Sequence, residues 1–151
     1  MIILYTALVA HIIIGLVGVI SAFALLIGFL RRMPKIRSLK IWSVITFFSF
    51  ILSWATGAYY YVLYYGKAVK PVILAGGAPW AHKIVMEAKE HVFLFIPFVA
   101  FVIMVGIFAA PDAILGDRPI KKSLAWLSAF VFVLGALIAL AGVAISGAAR
   151  Q

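Results

Sequence analysis

Four long apolar runs, separated by three short polar links, make up almost the whole chain. The runs cover Ile2–Leu30, Ile41–Tyr65, Val92–Ala110 and Leu124–Ala148. Each holds the ~20 residues that carry an α-helix across a ~30 Å hydrocarbon layer. The ten-residue alternating segments of a membrane β-barrel are missing. The links RRMPKIRSLK, GKAVKPVILAGGAPW and PDAILGDRPIKK are short, and short links make successive helices antiparallel neighbours. The pattern predicts an all-α integral membrane protein, a four-transmembrane-helix up-down-up-down bundle. It forms one domain over residues 1–151, with spans at about 2–30, 41–65, 80–110 and 122–148. Pro79 suits the first turn of the third helix, Pro111 suits its end, and Pro97 predicts a kink inside it.

The basic ends of the runs give a common zero of depth. Counting about 20 residues outward covers one hydrocarbon thickness. From Arg31, Lys40, Pro111 and Lys122 this reaches His11, Tyr60, His91 and Gly142. These four positions are expected level with one another, at the boundary where tyrosines belong. Tyr59, Tyr60, Tyr61, Tyr64 and Tyr65 cluster there. The third helix begins beyond that boundary, so the bundle is expected to project from the membrane as a charged neck.

Composition sharpens this picture. Of 151 residues, 67% are apolar and 11% charged, too few charges to cover a soluble domain. The chain has no cysteine, which excludes disulfides, thiolate metal sites, cysteine nucleophiles and covalent c-type haem attachment. A net charge of +9 suits basic links against anionic lipid rather than nucleic acid, for which no soluble basic domain exists. The first and third links carry Arg31, Arg32, Lys35, Arg37, Lys40, Arg118, Lys121 and Lys122, against Lys67, Lys70, Lys83, Lys89 and Arg150 on the other side. Positive-inside reasoning then places both termini outside, in a multi-pass cell-membrane protein such as one of a prokaryotic inner membrane. The first run is too long for the core of a secretory signal.

An ionisable side chain inside an apolar run is a functional candidate by default. His11 is one, with Gly15 and Gly18 on the same helical face. His91 lies at the matching depth on the third helix. Two level histidines from two helices can clamp a haem b iron, and glycines let a flat ring approach the backbone. Tyr60, Trp54, Phe93, Phe95 and Phe98 are candidates to wall such a slot. The plainer alternatives are hydrogen bonding between the histidines across the bundle, and close helix packing at the glycines.

The stretch PWAHKIVMEAKEH is the most distinctive in the chain. Helical spacing groups Lys83, Glu87, Glu90 and His91 on one face, with His82 nearly opposite, expected to be either exposed or a metal ligand at the bundle rim. Glu87 can orient His91, or Glu87, Glu90 and His91 can hold a transition metal ion or relay protons. Met86 is an alternative soft ligand. The plainer alternative is a solvated helix start whose charges pair with each other. Ser49, Ser53, Thr56 and Tyr60 form a polar seam on the second helix, whose default role is inter-helix hydrogen bonding.

With four spans, His11 beside Gly15 and Gly18, and His91 on another helix, the chain resembles the small four-helix membrane-bound b-type cytochromes. That resemblance implies electron transfer or a redox-enzyme subunit near the outer face, with quinone or a periplasmic or extracellular redox protein as partner. It departs from two-haem members, because all three histidines fall in the outer half. Two other functions compete with it. One is a proton-, metal- or small-solute-binding or transport protein using Glu87, Glu90 and His91. The other is a structural subunit of a membrane complex or a homo-oligomer. No hydrolase or phosphate-loop motif is present.

Overall fold

The computed structural model describes residues 2–150. Its helical segments are α1 (Ile2–Leu30), α2 (Ile36–Tyr60), a π-helical stretch Tyr61–Val69, α3 (Lys70–Ala75), a second π-helical stretch Ala81–Met86, α4 (Glu87–Ala109), α5 (Pro111–Gly116) and α6 (Arg118–Ala148). Joined end to end they form four rods, Ile3–Leu30, Ile36–Ala75, Ala81–Ala109 and Arg118–Ala148, each long and apolar enough to cross a bilayer. α1 packs along α2 and α6, and α4 packs along the same two helices. The result is the expected up-down-up-down bundle, with α1 and α4 on one diagonal and α2 and α6 on the other. α4 stays helical through the buried Pro97.

Two links are shorter than the polar stretches suggested. α2 starts at Ile36, and the second rod runs on to Ala75, leaving only residues 76–80 as connection. Hydropathy marks only the part of a helix that touches lipid. Beyond it, the rods are held by a second core of Tyr65, Ile73, Ala78, Ala81, Met86, Ile145 and Ala148. That core closes the end of the bundle where both termini lie.

Serines, threonines and glycines face inward together with large side chains such as Leu25, Phe29, Ile96 and Ile103, while many other large apolar residues face out. Phe98 is 72% exposed and Val143 70%, as lipid contact requires. Inside, association rests on close packing, because lipid is as apolar as the core. Phe50 of α2 is fully buried at the centre. Its ring fills the places where a Cβ at Gly18 of α1 and Gly135 of α6 would stand, 3.1 and 3.2 Å away. It also meets Phe93 of α4 edge-on at 6.2 Å. One side chain thus touches all three other rods.

At the basic end, Asp117 caps α6 by accepting from the Ile120 amide. Lys121 Nζ donates to the Arg31 carbonyl at 2.6 Å, satisfying the end of α1.

Candidate functional site at the tyrosine-rich end

The site starts from spacing. The inward stripe of α1 runs His11, Gly15, Gly18, Ala22, Leu25, Phe29, alternating steps of four and three. That period keeps one face turned to the bundle axis. His11 therefore enters the interior from α1. Its Nδ1 lies 2.8 Å from the Ser53 carbonyl. A carbonyl only accepts, so Nδ1 carries the proton, and in the neutral imidazole Nε2 keeps its lone pair. Ser53 Oγ donates back to the His11 carbonyl at 3.0 Å, locking α1 to α2.

Two glycines complete this layer. A Cβ on Gly57 would stand 2.6 Å from His11 Nδ1, so the imidazole lies flat against the backbone of α2. On the opposite corner, a Cβ on Gly142 would stand 3.8 Å from the ammonium of Lys89. Lys89 is half-buried and close enough to His11 for their charges to interact. The layer thus sets His11 and Lys89 on one diagonal and Gly57 and Gly142 on the other. Gly57→Ala would gain up to ~1 kcal/mol of helix propensity. It would also displace a ring held by two half-buried polar contacts, worth roughly 1–3 kcal/mol. A net loss of about 1 kcal/mol is expected in denaturant titration of the purified protein. An unchanged midpoint would show that the ring is not pinned.

Above this layer stand the other titratable groups. Tyr61 lies beside Glu90. The Glu90 Oε1 atom is buried, and no donor among the described residues reaches it. Tyr61 stacks on Tyr65 at 5.2 Å, and the Tyr65 hydroxyl is 3.2 Å from His82 Nδ1. His82 Nε2 in turn faces Glu87 Oε1 at 3.8 Å. His82 is only 3% exposed, which corrects the expectation that it is exposed. It lies farther from the lipid, but the second core covers it. Both π-helical stretches flank this cluster, and such turns recur at functional sites. Tyr65→Phe keeps the ring stack but leaves the buried imidazole without its hydroxyl. A loss of roughly 1–2 kcal/mol is expected in the same titration.

His91 is elsewhere. It is exposed, and its Nδ1 lies 2.7 Å from the Glu87 carbonyl one turn back. It follows Lys89 by two residues, about 200° around the helix, so it faces away from the bundle axis. No hydrogen bond or ring contact joins His11 and His91 among the described residues. Tyr60 is half-buried and pairs with Tyr64 at 5.5 Å. Met86 is buried in the second core. Gly15 meets Ser53 Oγ, and Gly18 meets the Phe50 ring, so both serve the close approach of α1 and α2. Among the described residues no three of His, Cys, Asp and Glu gather as a metal ion requires.

Lys89 is the residue that sequence reasoning passed over. Its signal was present: 82, 86, 89, 93, 96, 100, 103 and 107 form one stripe with steps of four and three. From Phe93 onward this stripe is the buried apolar face of α4, and extending it outward puts Lys89, Met86 and His82 inside.

A line of hydroxyls continues from His11 toward the basic end. Ser43, Thr46, Ser49 and Ser53 are all buried on α2. The Thr46 hydroxyl is 2.9 Å from Ser21 Oγ and 2.7 Å from the Trp42 carbonyl. Ser43 donates to the Lys40 carbonyl at 2.9 Å. The expected polar seam is thus partly internal: Ser49 and Ser53 are buried, while Thr56 and Tyr60 are half-exposed. The chain matches no family model, no curated protein and no solved structure. Geometry alone therefore carries the functional reading.

Proposed function

We propose that this is a proton-handling membrane protein, in which protons pass between water at the tyrosine-rich end and the interior station at His11 and Lys89. The observation that carries the reading is the inward stripe of α4, which turns from hydrocarbon to Lys89, Met86 and His82 while staying inside the bundle. Ionisable groups inside a membrane bundle mark relays and pathways. Here Glu87 with His82, Tyr65, Tyr61 with Glu90, and then Lys89 with His11 follow one another inward. Glu90 Oε1 is a buried acceptor on this inward line, next to Tyr61. His11 Nε2 offers a lone pair, and the buried hydroxyls of Ser53, Ser49, Thr46 and Ser43 extend the polar thread. In this reading residues 1–151 act as one domain. The basic end faces the cytoplasm and both termini lie outside.

The test is proton flux. Purified protein is reconstituted in liposomes containing a pH-sensitive dye, and a potassium diffusion potential drives the flow. Internal acidification well above that of protein-free vesicles is expected. Equal rates in the two would falsify the proposal.

A second reading keeps haem b, as the likeness to small b-type cytochromes implies. The observation favouring it is the hydrogen bond of His11: with Nδ1 donated to a carbonyl, the Nε2 of a neutral imidazole would be the atom to hold the iron. The group would supply one-electron chemistry. His11 and His91 do not face each other, so this pair does not fit as a clamp within one bundle. A reducible α-band that vanishes in His11→Ala would support haem ligation by His11. Its absence after haem supplementation would sink that reading.

A further inference from the structure

The basic end carries a feature unrelated to the proton path. A cleft of about 330 Å³ opens between α1 and α2, lined by Phe23, Ile27, Gly28, Leu39 and Trp42 below and by Arg31 and Lys35 at its mouth. A second cleft on the other side of the Ser38–Trp42 ridge shares Lys35 and adds Arg37. Among the described residues no ion pair engages the charges here. Eight Lys and Arg residues face only Asp112 and Asp117 at this end. The His82–Glu87 pair at the far end is the one side-chain ion pair among the described residues. Lys121 is spent on the Arg31 carbonyl, and Lys40 lies over the Phe108 ring at 5.0 Å. Arg31, Lys35 and Arg37 remain exposed above an apolar wall.

We propose that this cleft binds an anionic phospholipid of the adjoining leaflet. An acyl chain lies along Phe23, Ile27 and Trp42, and Arg31 and Lys35 hold the phosphate. Three observations agree. Gly28 has no side chain, and the buried Leu39 packs against its backbone, so the floor of the groove is closed and apolar. The wall is apolar at acyl-chain depth. The unpaired cations stand at headgroup height. A basic pocket between membrane helices is the arrangement that recognises acidic headgroups.

Trp42 lines both clefts and reports on occupancy. In a variant carrying Trp54→Phe, Trp80→Phe and Trp126→Phe, brominated phosphatidylglycerol is expected to quench Trp42 at lower mole fraction than brominated phosphatidylcholine. Each removed cation should weaken the phosphatidylglycerol preference about 5-fold, so Arg31→Ala with Lys35→Ala should erase it. Ser38→Phe, which fills the groove and leaves the charges, should weaken quenching by both lipids. Lys122→Ala, a basic residue outside the cleft, should change nothing. Equal quenching by the two lipids would overturn the assignment, as would an equal loss in Lys122→Ala. Relief of quenching by millimolar inorganic phosphate would also overturn it, because the site would then read a free anion and not a lipid.

Discussion

Phe50→Ala is expected to be the most damaging single substitution in the bundle. The ring stands between Gly18, Gly135 and Phe93, so its removal opens a hole bordered by all three other rods. In lipid the transfer part of the usual penalty is small, since the unfolded side chain stays in an apolar medium. The cavity part remains. Roughly 100 Å³ of lost side chain at ~24 cal/mol per Å³ gives about 2–3 kcal/mol, as the two glycines have nothing to move into the gap. Denaturant titration in detergent micelles should show this as a loss of midpoint with an unchanged slope. A loss under about 1 kcal/mol would mean that the rods collapse onto the space, and that the glycines are not seats for the ring.

If the bundle handles protons as proposed, Lys89→Met should leave the fold intact and cut the proton flux. Met is unbranched and of similar reach, so it can occupy the space that the Lys89 stem fills. Replacing a buried charge by an apolar group of similar length is commonly neutral or stabilising. The proton path would lose one of the two ionisable groups of its deepest layer. A positioned proton-transfer group contributes on the order of 100-fold or more, so flux in the liposome assay should fall by about that factor. A reduced flux with an unshifted denaturation midpoint is the expected pair of results. Full flux in Lys89→Met would remove Lys89 from the path.

The two substitutions show what the sequence disclosed and what it hid. The spans were legible because hydrocarbon demands some 20 apolar residues in a row, and nothing else in the chain competes with that signal. The α1 stripe of His11, Gly15 and Gly18 was legible for the same periodic reason. The continuation of the second rod to Ala75 was not. Outside lipid a helix needs no apolar run, and Gly66, Pro71, Gly76 and Gly77 resemble a loop. The depth count set His11 and His91 at one height, but height says nothing about azimuth. His91 faces away, and Lys89, two residues earlier, faces in. Charges on α4 were grouped by their spacing to one another, whereas the deciding spacing was to Phe93, Ile96 and Ala100 in the core. His82 was misjudged because distance from lipid was equated with exposure. The residues that cover it, among them Tyr65, Ile73 and Ile145, come from distant parts of the chain.

The layer of His11, Gly57, Lys89 and Gly142 also has a consequence for assembly. A stripe of Ile, Ala and Leu looks much the same after a slide of one heptad, about 10 Å along the axis. Apolar rods in lipid can therefore settle at several heights with little difference in packing. Lys89 fits opposite glycine and beside His11 at one height only. Shifted a heptad toward the basic end, it would be stranded among hydrocarbon at the level of Ile96. The polar rung thus penalises the shifted register, in addition to the steric seats that Phe50 finds at Gly18 and Gly135, which hold the native height without it.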